Sequence, residues 1–310
     1  MTLQALNAAD PIVTVTTTSG SFVVELFESQ APITVANFLN YVNADFYSST
    51  LFHRVIDNFV IQGGGYTLTG TSTISAKTTN APIALESQTG LSNTLGTIAM
   101  ARSDAADSAT SQFYINTVNN TALDYQSASS PGYAVFGTVI EGMSIVDAIS
   151  NAPITSIANS GLTSFPYPLI TISSIKNTRL DTDGVAGQAY RLYKAAFDRA
   201  PDLGGLGYWI SKMDSGMDLI EVSARFVDST EFKTMYGASS SNGDFITAVY
   251  NNVLDRTPDA EGYAWWVDQL TNNPEKTRQK VLADFSESDE NVATVASLIG
   301  SGIIYDPYVA

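Results

Sequence analysis

The sequence places one arginine inside a strand-like apolar stretch, FHRVIDNFVIQGGG at residues 52–65. Arg54 keeps its proton at any ordinary pH, so its face must reach water or a ligand rather than a dry core. Gln62 adds an amide that can both donate and accept a hydrogen bond, and Phe59 adds an apolar ring. A fixed cation and an amide beside a ring suit the holding of a carbonyl and an apolar group, without proton transfer.

Strand alternation predicts which side chains accompany the arginine. Successive residues of a strand point to opposite faces, so Arg54 should share a face with Phe52 and Ile56. His53 should then point the other way. We therefore expect this histidine to be structural, with its hydrogen bonds satisfied, rather than catalytic.

The stretch resembles the cyclophilin signature, and further segments match that family in order over roughly residues 11–176. Several separate matches in the family's order are stronger evidence than any one of them. The resemblance implies a peptidyl-prolyl cis/trans isomerase on a closed eight-stranded antiparallel barrel capped by two helices. The other matching segments are SFVVELF (21–27), APITVANFLNY (31–41), FYSST (46–50), GTIAMAR (96–102), SATSQFYIN (108–116), Leu123-Asp124 and GYAVFG (132–137).

The resemblance implies catalytic roles for Arg54 and Gln62. Amide resonance keeps an X–Pro bond planar behind a barrier of about 18–20 kcal/mol. Twisting the bond localises a lone pair on the proline nitrogen. A guanidinium N–H aimed at that nitrogen stabilises the twisted state more than either planar isomer. Gln62 matches the family residue that hydrogen-bonds the substrate backbone.

The resemblance also implies a set of substrate-binding residues. Alternation in SQFYI puts Gln112 and Tyr114 on one face, and because glutamine is polar we expect that face to be the cleft. Many relatives have Phe at the Tyr114 position and a bulkier Met at the Val60 position, and Val60 could equally be plain core. Many carry Asn where this chain has Arg102, and His or Tyr at the Tyr133 position. The full set is Phe59, Val60, Ala101, Arg102, Gln112, Tyr114, Leu123 and Tyr133.

The elements around this stretch are predicted from periodicity and turn signals. Pro32 and the helical spacing that follows it predict a helix ending near Asn43, and a second short helix is predicted around 143–149. Strands are predicted at 12–18, 21–27, 51–56, 59–63, 96–102, 111–117, 133–140 and 168–176. Residues 66–94, rich in Thr, Ser, Asn and Gly, are predicted to form a long loop.

The rest of the chain has a different pattern. We predict domains at 1–176 and 188–310, with a polar linker at 177–187 between them. The second is predicted to be all-helical and duplicated at a spacing of 57 residues, because Asp198-Arg199 and Pro201-Asp202 recur as Asp255-Arg256 and Pro258-Asp259. The repeat resembles a domain of unknown function found in secreted and surface-layer bacterial proteins, itself similar to phycobilisome linker repeats.

Composition excludes several classes of function. The 310 residues have a formal net charge of -16, which disfavours nucleic acid and anionic membranes as partners. The chain has no cysteine and one histidine, so thiol chemistry and zinc–thiolate sites are excluded. No metal or cofactor is expected: Leu180–Gly184 faintly resembles a calcium loop but lacks its downstream acid. No segment approaches the roughly 20 apolar residues of a membrane span.

Three functions remain open. We favour an isomerase that acts on proline-containing polypeptides and carries a helical attachment or interaction domain. The alternatives are a module that only binds proline-containing segments, and a surface or export scaffold in which the barrel assists folding. The N-terminus, MTLQALNAADP, has no conventional signal peptide. The resemblance of the repeats to domains of exported bacterial proteins implies a secreted or cell-surface protein, with a cytoplasmic location as the alternative. If the protein is exported without a cleavable signal, we expect a route that reads a C-terminal signal.

Overall fold

The computed structural model describes residues 10–70, 73–156, 164–237, 240–300 and 302–308. The chain divides into two compact units, Met1–Asn177 and Thr178–Ala310. The first unit contains the strands that form a barrel, and the second contains a cluster of helices.

Eight strands of the first unit form a closed antiparallel barrel, as predicted. Their order around the barrel is β1-β2-β8-β6-β7-β4-β3-β11, and β11 pairs back with β1. The closed path leaves these strands without a free barrel edge. The strands are β1 (Ile12–Thr17), β2 (Gly20–Leu26), β3 (Thr50–Ile56), β4 (Val60–Thr69), β6 (Thr97–Met100), β7 (Phe113–Asn116), β8 (Val135–Glu141) and β11 (Thr171–Arg179).

Two helices accompany the barrel, α1 (Pro32–Asn43) and α2 (Met143–Ser150), where the sequence predicted them. Pro32 starts α1 at a position that needs no N–H donor. The Glu86 carboxylate accepts from the backbone N–H groups of Ile33 and Thr34 at 3.1 and 2.7 Å, which stabilises this helix end. The buried face of α1 then packs into the barrel core through Val35 and Phe38.

The predicted loop over 66–94 is wrong in its first part. β4 continues to Thr69 and forms a hairpin with β5 (Thr73–Ala76), in which Leu68 pairs with Ile74. Threonine is a good strand former on an exposed sheet surface, so the Thr-rich composition concealed the strands. Two further short strands, β9 (Ile154–Thr155) and β10 (Phe165–Pro166), were not predicted.

The second unit is built from helices α3 to α10 around its own apolar core. It also includes one short strand, β12 (Ile303–Tyr305), where only helix was predicted. The segment predicted as a linker, 177–187, begins with the last residues of β11 and ends inside α3. The helices are α3 (Val185–Phe197), α4 (Leu203–Asp214), α5 (Leu219–Asp228), α6 (Thr230–Tyr236), α7 (Asn242–Leu254), α8 (Ala260–Asn272), α9 (Arg278–Ser286) and α10 (Asp289–Ile299).

The two Asp-Arg…Pro-Asp motifs make matching local contacts. Asp198 and Asp255 end α3 and α7 in left-handed conformations, at φ 48° and 49°. Asp202 and Asp259 cap α4 and α8 by accepting from Gly205 and Gly262 at 2.7 and 2.8 Å. Each motif therefore closes one helix and starts the next.

The arginines of the two motifs each pair with a glutamate. Arg199 binds Glu231 and Arg256 binds Glu290, with closest contacts of 3.0 and 3.1 Å. All four side chains are well exposed, so these ion pairs add little stability.

The two motif regions differ in the helix that follows. α4 buries four residues, whereas none of the thirteen residues of α8, all of them described, is buried. Trp265, on α8, is 51% exposed. Among the described residues no helix is both long and apolar enough to cross a bilayer.

Candidate active site

A row of cross-strand neighbours runs across the outer face of the barrel. Residues directly opposite each other in antiparallel strands share a face, so one outward side chain fixes the direction of its partners. The row is Arg54–Gln62–Tyr114–Ala99–Val135. The adjacent residues Val55, Ile61, Ile115 and Ile98 belong to the barrel core.

A β-bulge in β3 changes which residues accompany the arginine. Phe52 and Val55 both lie in the barrel core, with two residues between them, and the pairing register shifts between Phe52 and Arg54. The extra residue breaks the period of two on which the prediction depended. The expectation that Phe52 shares the face of Arg54 is therefore wrong.

His53, like Arg54, does not belong to the barrel core. Its ring packs against Tyr66 and Phe165, at centroid distances of 4.6 and 6.4 Å. Burial lowers the pKa of His53 to about 4, although a hydrogen bond with the backbone of Leu51 acts in the opposite direction. The imidazole is thus neutral at physiological pH. Its Nδ1 has no hydrogen-bond partner among the described residues. The expectation that all hydrogen bonds of this histidine are satisfied is therefore not met.

Three polar side chains form a hydrogen-bonded chain that begins in this row, at Arg54, and ends beside it, at Gln112. Arg54 Nη1 donates to Gln62 Oε1 at 3.4 Å, and Gln62 Nε2 donates to Gln112 Oε1 at 3.0 Å. The guanidinium carbon of Arg54 lies 5.8 Å from the centre of the Phe59 ring. No carboxylate of the described residues lies within ion-pair distance of this arginine. Its positive charge is therefore available to a ligand.

The glycines of β4 make room for this chain. A Cβ atom on Gly65 would lie 2.4 Å from Cγ of Gln112, so only glycine lets Gln112 lie across β4. Gly64 adopts a φ of +82°, a left-handed conformation that side-chain-bearing residues avoid. Gly65 thus makes room for Gln112, whereas Gly63 and Gly64 lie against Phe52, Tyr47 and Phe113.

A cluster of apolar side chains, which we name the apolar pocket, lies beside the polar chain. Its buried members are Val60, Ala99, Tyr114 and Val135. Four predicted site residues pack against them and are partly buried, namely Phe59, Ala101, Leu123 and Tyr133. Val60 is 2% exposed and packs in this cluster rather than in the barrel core. The Tyr114 and Tyr133 rings meet edge to face at 5.8 Å.

A buried polar network, which the sequence did not predict, holds the buried and partly buried members of the apolar pocket together. Tyr114 donates to Asn93 Oδ1 at 2.7 Å, and Asn93 Nδ2 donates to Asp124 Oδ1 at 2.8 Å. Asn120 Nδ2 bonds both the Phe59 carbonyl and Asn116 Oδ1, at 2.8 and 2.9 Å. Only Asp124 had a sequence signal, since it belongs to the Leu-Asp motif.

The electrostatics of this network keep its members in fixed protonation states. Burial raises the pKa of Tyr114, so its hydroxyl stays protonated and remains a donor. Desolvation alone would raise the pKa of Asp124, but hydrogen bonds from Ser92 and Asn93 outweigh it and lower the pKa. Asp124 therefore stays ionised and fixes the loop that carries Leu123.

A polar cavity of about 310 Å³ adjoins the row. Arg102 is fixed there by Nε, which donates to the Gly132 carbonyl at 2.9 Å, and by Nη1, which donates to the Ser103 carbonyl at 2.8 Å. Its guanidinium also lies 4.7 Å from the centre of the Tyr133 ring. The lining residues are Gln62, Ala101, Arg102, Ser103, Ser108, Thr110 and Gln112.

The described residues contain no group of three or more His, Cys, Asp or Glu side chains placed to hold a metal ion. Asp181, in the segment that faintly resembled a calcium loop, instead accepts from Arg179 at 2.8 and 2.9 Å. The site thus offers a cation, amide groups and an apolar pocket. Such groups can bind a ring and stabilise charge on a nitrogen without bond cleavage.

Comparison with known proteins agrees with this geometry. The family described as cyclophilin type peptidyl-prolyl cis-trans isomerase/CLD matches residues 12–177, and a domain of unknown function (DUF4214) matches residues 223–295. The peptidyl-prolyl cis-trans isomerase of Acinetobacter baylyi is 48% identical over 151 residues, which are 49% of this chain and 78% of that protein. Peptidyl-prolyl cis-trans isomerase B of Escherichia coli is 46% identical over 140 residues, 44% of this chain and 83% of that protein.

Among solved structures, a cyclophilin type peptidyl-prolyl cis-trans isomerase of Cryptosporidium parvum aligns with a TM-score of 0.43 and 25% identity, over 54% of this chain and 97% of that one. The family match itself spans more than half of the sequence and includes the whole row from Arg54 to Val135, the apolar cluster and the polar cavity. The chain therefore belongs to the cyclophilin-type peptidyl-prolyl cis-trans isomerases.

Proposed function

We propose that the catalytic centre is the row around Arg54 and that Arg54 is the residue that lowers the rotational barrier. The observation that carries this proposal is a guanidinium without a carboxylate partner among the described residues, held beside an apolar pocket. A proline ring would occupy the pocket between Phe59 and Leu123. As the X–Pro bond twists, Arg54 donates to the lone pair that forms on the proline nitrogen. No proton is transferred and no bond is broken.

The two glutamines orient the substrate in this mechanism. Gln112 Oε1 accepts from Gln62, so the Nε2 amide group of Gln112 is the end of its side chain that can donate to a ligand. A backbone carbonyl of the bound segment can accept from this group. Because Gln62 also accepts from Arg54, the position of the substrate and that of the cation are fixed by the same hydrogen-bonded chain.

The test is a protease-coupled isomerisation assay on the whole chain with a neutral Ala-Pro peptide. Arg54→Ala should lower kcat/KM at least tenfold, a loss of about 1.4 kcal/mol of transition-state stabilisation. Arg54→Lys should recover only part of the rate, because a mobile ammonium does not reproduce a planar guanidinium. A circular dichroism spectrum must show that the variants are folded. Wild-type activity in Arg54→Ala would remove this residue from the mechanism.

We also propose that the second unit is a duplicated attachment domain. The paired motif contacts of Arg199 and Arg256 support the duplication, and so does the paired capping by Asp202 and Asp259. An attachment role is supported by composition, since residues 178–310 contain no cysteine and no histidine. The partner is another protein or the cell surface.

The proposed location is outside the cell or on its surface, and it is tested by fractionation of the native host. The resemblance of the repeats to secreted and surface-layer proteins supports it. Protein found in the culture medium or released by surface washing is the expected outcome. A pool confined to the cytosol would contradict export but would leave the isomerase assignment intact.

A further inference from the structure

The first unit carries few positive charges, and two of them belong to the candidate site. Residues 1–176 contain four basic and eleven acidic side chains, a net charge of -7. Lys176 pairs with Asp45 at 3.5 Å, and Lys77 donates to the Phe46 carbonyl away from the cleft. The other two basic residues are Arg54 and Arg102. The cleft is thus a positive site on an acidic unit.

Arg102 is rigidly held yet keeps free donors. Nε and Nη1 are used by three backbone carbonyls, those of Gly132, Ser103 and Asp104. No partner for Nη2 is found in the described part of the chain, nor does any described carboxylate lie within ion-pair distance. The two N–H groups of Nη2 are therefore left for a ligand. Clamping by carbonyls and by the Tyr133 ring means that little side-chain entropy is lost when that ligand binds.

The surroundings of Arg102 fit a carboxylate. Its cavity is lined by the hydroxyl-bearing residues Ser103, Ser108 and Thr110, together with the amide of Gln112. Ser103 donates to Ser108 at 2.9 Å, and Ser108 donates to the Ala105 carbonyl. The Thr110 hydroxyl and the Gln112 amide are therefore the groups that can donate to the oxygens of an acid facing the guanidinium. A basic side chain in the same cavity would meet like charge.

We propose that Arg102 is a specificity-determining residue, which binds an Asp or Glu side chain of the substrate close to its proline. The inference rests on the proposed function, because the acid must belong to the segment whose proline occupies the neighbouring pocket. Ala101 belongs both to the polar cavity and to the apolar cluster, and Gln62, which lines the cavity, accepts from Arg54. An extended chain advances about 3.3–3.6 Å per residue, so the acid should lie within about three residues of the proline.

Long-range electrostatics predict the opposite preference, which makes the proposal easy to test. An acidic peptide is repelled by a unit of charge -7 and by a chain of charge -16. Only a local contact can therefore favour Glu over Lys. Added salt screens exposed charges, so it should reduce the preference.

The experiment compares matched peptides with one Ala-Pro core, in which Glu, Gln or Lys occupies each of the three positions before and after that core. Both kcat/KM and the dissociation constant from fluorescence anisotropy are measured on the full chain. At one position or more, Glu should exceed Lys about tenfold in kcat/KM, with Gln between them. Arg102→Gln should abolish this preference while the Gln peptide is still turned over, and Arg102→Glu should reverse it.

The matched control is Lys77→Gln, which makes the same change in net charge outside the cleft. This variant should keep the full preference for Glu. Equal values for Glu and Lys at all six positions in the wild type would overturn the proposal, as would a preference that survives in Arg102→Gln. Turnover of the Gln peptide shows separately whether the isomerase mechanism holds, and the anisotropy values remain decisive if turnover is absent.

Discussion

Arg54 and Arg102 are two cations of one cleft that are held in different ways. Arg54 has one long hydrogen bond, 3.4 Å to Gln62, and faces the edge of the apolar pocket. Arg102 is clamped by backbone carbonyls and by an aromatic ring. A group that follows a moving nitrogen benefits from freedom to adjust, whereas a group that selects a side chain benefits from a fixed position. The different restraints match the different proposed roles.

His53 provides a prediction about pH. It is the chain's only histidine, so its ring signals in NMR spectra are unique. Because burial lowers its pKa to about 4, the ring should stay neutral down to about pH 5 and titrate only below that. An NMR titration of the folded protein checks this value directly. A midpoint between pH 6 and 7 would show that the ring is solvated and would contradict the structure.

The same shift implies a direction for stability. Between pH 6.5 and about 4 the unfolded chain binds a proton at His53 that the folded chain does not bind. The contribution of this residue to folding free energy is therefore fully present above pH 6.5 and is lost as the pH falls through this window. His53→Gln should remove this part of the acid sensitivity.

The sequence was more informative about which residues are candidates for the site than about the face on which each side chain lies. Arg54, Gln62, Phe59 and Leu123 were selected as candidates because their types and order match a family signature, and the structure brings them to one side of the barrel. The direction of Phe52 was predicted wrongly because a β-bulge has no signature in side-chain alternation. The network of Asn93 and its neighbours could not be predicted, since it joins residues far apart in the chain through hydrogen bonds that no local pattern reports.

At the scale of elements, Gly65 of β4 leaves room for the side chain of Gln112, and this contact gives a second prediction. Gly65→Ala would put a Cβ atom 2.4 Å from Cγ of Gln112. Gln112 must then move, and its bond to Gln62 is lost. We expect kcat/KM for a neutral peptide to fall several-fold while the far-ultraviolet circular dichroism spectrum is unchanged.

Gly204→Ala is the matched control for this substitution. A Cβ atom at that position has no neighbour closer than 4.0 Å, so activity should stay at the wild-type level. The double variant Gly65→Ala with Gln112→Ala removes the clash but also the amide. It should regain any lost thermal stability without regaining activity. Full activity in Gly65→Ala alone would show that the position of Gln112 is not important.

Elements whose own residues carry clear helix or strand signals were predicted well. Elements that depend on contact with another segment were not. The Pro32 start and apolar spacing of α1 gave its bounds correctly. β5 was missed because its pairing with β4 depends on a neighbour rather than on its own four residues. The sequence repeats the apolar face of α4 in α8, yet only α4 has buried residues. An apolar face alone does not show whether another segment covers it.

At the scale of the whole molecule, the division at residues 177 and 178 predicts that the helical unit folds alone. Its core contains Leu192, Phe226, Phe245 and Val281, all from residues 178–310, so the fragment keeps its own apolar contacts. The isolated fragment 178–310 should show a helical circular dichroism spectrum and a cooperative thermal transition. A spectrum without helix, or a melt without a transition, would contradict the prediction.

The positions of the tryptophans allow the unfolding of the helical unit to be followed by intrinsic fluorescence. All three lie in the helical unit, and Trp209 and Trp266 each pack 5.1 Å from a buried phenylalanine, Phe226 and Phe285. Excitation at the red edge of the protein absorption band selects tryptophan over tyrosine. Intrinsic fluorescence of the unlabelled, full-length chain will thus follow the helical unit alone, while enzymatic turnover follows the barrel. The order in which the two units are lost during heating can then be determined in a single sample.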